Sequence, residues 1–96
     1  MKNLPTYLGH VFEKLCLEIV SLVLTGYKIG RYWDRHGNEI DIVALGDEKA
    51  LFFECKLTEP DKSDAKLLQH KSKMMAEKLS VKYGEEYFIV PEKEVI

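Results

Sequence analysis

Apolar residues change their spacing along this chain, and that change restricts its fold more than any other feature. Leu8, Phe12, Leu15, Cys16, Ile19 and Val23 recur at three- and four-residue steps, which predicts one face of an amphipathic helix. Pro5-Thr6 precede the pattern, and Thr25-Gly26 ends it, glycine being the natural breaker past a helix C-terminus. The spacing then shortens to strand-length runs, YKIGRYWDR, IDIVAL and ALFFECKL, divided by turns at Gly37-Asn38 and at Gly46-Asp47-Glu48-Lys49. Connections this tight join antiparallel neighbours, so the runs predict a three-stranded meander.

Glu59-Pro60-Asp61 interrupts that meander. A second helix is expected from about Asp61 to Val81, capped by Asp61 or Ser63. Tyr83-Gly84 is expected to end it, EYFIV suits a buried strand, and PEKEVI begins a further element or a tail. The order α-β-β-β-α-β implies an α/β chain of the α+β kind. It predicts a four-stranded mixed sheet flanked by two helices.

A chain of 96 residues holds one core and not two, so residues 1–96 form a single domain. Its modest size makes a homodimer a plausible supplement. A net charge of −2 excludes a uniformly basic nucleic-acid protein but leaves room for local basic faces. No apolar run approaches the roughly 20 residues that span a bilayer. No secretory signal is visible, which points to the cytoplasm. Cys16 and Cys55 lack the paired spacing of a zinc site, and two free thiols are expected rather than a disulfide.

Charged residues interrupt the apolar strands. Alternation sets Phe52, Glu54 and Lys56 on one face of the third strand, and Phe53, Cys55 and Leu57 on the other. In the second strand it sets Glu39 and Asp41 opposite Ile40, Ile42 and Ala44. One hairpin register brings Asp41 beside Glu54 and Lys56, with Cβ atoms about 5 Å apart when directly opposed. Two carboxylates that close repel unless a cation separates them, and their oxygens suit Mg²⁺ or Mn²⁺. Lys56 reaches the same space, where it orients or activates water or neutralises a phosphate, a set that fits phosphodiester hydrolysis. Ordinary ion pairs on a solvated sheet face give the same pattern. Glu13, at the edge of the first helix's apolar stripe beside Leu17, Val20 and Leu24, either reaches this site or pairs with a base.

The element order and these residues together resemble the PD-(D/E)xK nuclease superfamily, the restriction-endonuclease-like proteins. That signature is similar to Asp41 with Glu54-Cys55-Lys56 here, and Glu13 matches the first-helix acid of many members. YLGHVFEKLC, EIDIVAL and FFECK are similar to recurring segments in the C-terminal domain of archaeal P-loop ATPases. The resemblance implies Asp41 and Glu54 as metal ligands, Lys56 as the catalytic lysine and Glu13 as an auxiliary ligand. Gln69 resembles a glutamine that some members place near the site. Ile40 stands where the family's proline would be, and no GxxxxGK[ST] phosphate loop occurs, so ATP hydrolysis by this chain is not expected. The resemblance also implies a P-loop ATPase, either as a partner or as a missing N-terminal portion.

Lys62, Lys66, His70 and Lys73 recur on one side of the second helix, with Lys71 and Lys78 nearby, and Lys28, Arg31 and Arg35 decorate the first strand. Such a basic face holds DNA phosphates without reading bases. A solvated lysine-rich helix reads the same way. Tyr32 and Trp33 either stack on bases or pack in the core or a dimer. Two functions follow: a Mg²⁺-dependent deoxyribonuclease, or a silent DNA-binding or oligomerisation module.

Overall fold

A computed structural model describes residues 4–91, with side chains described from Tyr7 onward. The elements are α1 (Leu4–Val23), β1 (Lys28–Trp33), β2 (Glu39–Leu45), β3 (Lys49–Cys55), α2 (Lys62–Leu79) and β4 (Tyr83–Ile89). They form a four-stranded mixed sheet in the order β1-β2-β3-β4, with two helices. The pairs β1–β2 and β2–β3 are antiparallel, as the tight turns predict. β4 lies parallel to β3, reached through α2. Most of PEKEVI, residues 92–96, lies outside the described residues.

The β1–β2 turn is built on one carboxylate. Asp34 accepts the N–H groups of His36 and Asn38 at 2.9 and 3.0 Å and the Asn38 side-chain amide at 3.0 Å. These donors hold its carboxyl at about 2, the Asn38 side chain contributing most. Gly37 takes φ +81°, which its missing Cβ permits.

The sheet is covered on both faces. Toward α2 lie Ile40, Val43, Ala50 and Phe52, packed with Leu68 and Met75. Toward α1 lies Ile42, packed with Cys16 and Val20 and bordered by Phe12, Phe53 and Cys55. Ile40 and Ile42 therefore face opposite ways, contrary to strict alternation. The cause is a bulge: Gly30 pairs with Val43 and Tyr32 with Ile40, so two steps on β1 meet three on β2. Asp41 sits inside it.

Further expectations change. Of the predicted α1 stripe only Cys16, edged by Phe12, turns inward, joined by Val20 from outside the stripe, while Leu8, Leu15, Ile19 and Val23 are exposed. A helix apolar on two sides can offer only one of them to the sheet. Trp33 is exposed (71%) and does not join the core. The second helix stops at Leu79, where Ser80 takes the left-handed conformation (φ 56°) and its N–H reaches the carbonyls of Ala76 and Glu77. Gly84 belongs to β4, where a Cβ would come within 3.2 Å of the Phe52 ring.

Adjacent leucines on α2 measure the value of burial. Leu68 is 1% exposed and Leu67 55%. Leu68→Ala is expected to cost about 2–5 kcal/mol in chemical denaturation, while Leu67→Ala stays within about 0.5 kcal/mol.

Candidate active site

The end of β3 sends successive amides in opposite directions. Cys55 N–H donates to the Asp41 carboxylate at 2.8 Å, and Lys56 N–H to the Ile89 carbonyl of β4 at 2.9 Å. Regular β2–β3 pairing stops at Ile42–Phe53, so the Asp41 side chain takes a strand amide where the ladder has ended. Register and bulge together place Asp41 beside both Glu54 and Glu13.

The three acids differ in their surroundings. Glu54 is pushed up to about 7, first by burial and then by the neighbouring Asp41, against the lowering pull of Lys71. Glu13 is raised by burial and Asp41, while Arg31 and His10 oppose the rise. Lys71, on α2, gives its ammonium to Glu54 at 2.9 Å and to the Glu39 carbonyl at 2.6 Å. Both side chains of this ion pair are largely shielded, at 12% and 18% exposure. Sequence reasoning gave Lys71 no site role. Its signal was its place three residues after Leu68, on the edge of the face that α2 buries.

Lys56 does not join the acids. Its ammonium pairs with Asp64 at 2.9 Å, near the start of α2. Glu13 lies 3.3 Å from His10 and 3.8 Å from Arg31. A cleft of ≈ 290 Å³ opens here, lined by His10, Glu13, Lys14, Leu17, Arg31 and Asp41. Glu54 and Lys56 are not among its lining residues. His10 and Lys14 are basic residues at this cleft that spacing along the sequence did not single out.

The predicted basic residues of α2, Lys62, Lys66, His70 and Lys73, are exposed. The cleft opens beside α1, on the other side of the sheet from α2. Gln69 lines a separate cleft with Ser72, Lys73 and Glu86. Cys16 and Cys55 are free thiols, both raised mainly by burial and unsuited to nucleophilic work.

The donor set has a definite chemistry. Cys55 N–H engages one oxygen of Asp41 and Lys71 one oxygen of Glu54, and the Asp41 carboxylate also lies within hydrogen-bonding reach of those of Glu54 and Glu13. Two such acids match the one or two carboxylates that Mg²⁺ takes from protein, with water and phosphate completing its shell. Among the described residues, no three His, Cys, Asp or Glu side chains gather to hold an ion.

A family model for DUF234, described as archaeal and bacterial proteins of unknown function, matches residues 1–78. The chain belongs to DUF234. The match spans α1, β1, β2, β3 and nearly all of α2, and so includes Glu13, Asp41, Glu54, Lys56 and Lys71. No curated protein matches the chain. The DUF234 description names neither a nuclease nor an ATPase. No helix among the described residues is long and apolar enough to cross a membrane.

The raised Glu54 carboxyl has a pH consequence. It binds its proton more tightly folded than unfolded, so its contribution is full below about 4.5 and declines as pH rises toward about 7. In denaturation measured across this window, Glu54→Gln is expected to flatten the decline. An unchanged slope assigns the pH dependence to other groups.

Proposed function

We propose that this DUF234 chain is a metal-dependent nuclease domain that hydrolyses DNA phosphodiesters. What supports it is the placement of Asp41 beside both Glu13 and Glu54, where it adds to the rise that burial imposes on both carboxyls. Crowded acids of this kind favour a cation and are a marker of functional sites. The PD-(D/E)xK resemblance of Asp41, Glu54 and Lys56 supports the same reading.

Asp41 and Glu54 would hold Mg²⁺ or Mn²⁺, with Glu13 as an auxiliary ligand. A bound divalent ion polarises a phosphoryl oxygen and makes water more acidic. Lys56, released from Asp64, neutralises charge that builds on the phosphate. Arg31, Lys14 and His10 hold the DNA backbone at the cleft, and the exposed α2 residues Lys62, Lys66, His70 and Lys73 extend this sequence-independent contact.

A second reading rests on a different observation. Lys71 neutralises Glu54 and Lys56 is occupied by Asp64, so the charges needed for hydrolysis are already compensated within the chain. In that reading the domain binds DNA or oligomerises beside a P-loop ATPase, without cleaving.

One assay separates the two. The chain is incubated with single-stranded, duplex and branched DNA and Mg²⁺ or Mn²⁺, beside the Asp41→Ala and Lys56→Ala variants. The nuclease reading expects cleavage that falls about 10²- to 10³-fold in each variant. Lys71→Met, which releases Glu54, is expected to lower the Mg²⁺ concentration at half-maximal rate. Cleavage that survives both alanine variants removes the proposed site, and binding without cleavage establishes the module.

A further inference from the structure

α1 carries one broad apolar arc and one polar flank. Cys16 and Val20 point into the sheet, while Leu8, Val11, Leu15, Ile19, Leu22 and Val23 are between 46% and 78% exposed. At 100° per residue, the outward set falls in a single band near Leu15, about 100° round the helix from Cys16 and Val20. An apolar arc this wide exceeds the stripe that the sheet covers, and the uncovered part is what a partner would bury. The band leaves on the order of 600 Å² uncovered, approaching the roughly 800 Å² that each partner contributes to a stable interface. It continues into an apolar groove of ≈ 320 Å³ between α1 and the sheet, lined by Ile19, Val20, Val23, Leu24, Leu51, Phe53 and Tyr87.

We propose that this face joins two copies of the chain, with their α1 helices antiparallel about a two-fold axis near Leu15. The polar flank identifies the occupant as a second copy. Lys14 and Glu18 are both exposed on the same side of the band. An antiparallel pair centred on Leu15 sets Leu8 against Leu22, Val11 against Ile19, and Lys14 of each copy against Glu18 of the other. The last two lie about 3 Å apart along the axis, within reach of both side chains. A self-complementary patch of this kind is what a two-fold interface requires. The symmetry makes the Lys14–Glu18 match occur twice against one Lys14–Lys14 approach at the axis, so reversing either charge turns both matches into like-charge contacts.

The test is sedimentation or light scattering across micromolar concentrations, with far-UV circular dichroism to confirm folding. The wild-type chain is expected to dimerise, and Leu15→Glu or Leu22→Gln to remain monomeric with unchanged helicity. Lys14→Glu and Glu18→Lys each weaken the dimer about tenfold or more, and combining them restores it. Leu15→Cys forms an intermolecular disulfide across the axis, whereas Ser21→Cys on the polar side does not. A wild-type chain monomeric throughout overturns the proposal, as does a dimer indifferent to both apolar substitutions. A dimer that the double charge reversal fails to restore overturns the antiparallel arrangement.

Discussion

The hydrogen bond from the Cys55 amide to the Asp41 carboxylate is the contact on which the candidate site depends. It lies where two geometric facts meet: β2 carries one residue more than β1 at this point, and its pairing with β3 has just ended. A strand amide at the end of a ladder needs an acceptor, and one left buried without it costs about 1–3 kcal/mol. Asp41 supplies that acceptor. Its side chain is thereby fixed to the backbone of β3, next to Glu54, while the bulge aims it toward Glu13. One interaction sets the relative positions of three acids from three elements.

Around that centre the chain balances charge locally. Glu13 has Arg31 and His10, Glu54 has Lys71, and Asp64 has Lys56. The Glu54 pair is the most shielded of these, and burial still lifts its carboxyl despite the ammonium beside it. A shielded ion pair repays its desolvation only when the geometry is good. Lys71 meets this condition by also bonding the Glu39 carbonyl, which ties α2 to the first residue of β2.

Much of the fold is legible in the sequence, because tight turns and apolar spacing are local. Gly37 and the Gly46 turn announce the meander, and Asp61 announces its helix through a capping box completed by Asp64. The nearness of Asp41 and Glu54 follows from a register that the turns allow, whereas the approach of Asp41 to Glu13 depends on the bulge and on how α1 packs. Three things escape a reading by alternation. The bulge depends on a count of residues in two strands at once, so the opposite facing of Ile40 and Ile42 has no local sign. The inward face of α1 is ambiguous when both sides are apolar. The ammonium partners of Glu54 and Asp64 are set by how α2 packs against the sheet, so Lys71 and Lys56 meet their acids only in three dimensions.

The capping box of α2 has a consequence for Lys56. Asp64 gives one oxygen to the Asp61 amide at 2.9 Å and the other to the Lys56 ammonium at 2.9 Å, while its own amide donates to Asp61 at 2.8 Å. The lysine is therefore latched to the first turn of a helix. Moving it toward the acids would take from Asp64 a contact made in the first turn of α2, so the position of Lys56 and the order of that turn are coupled through one carboxylate.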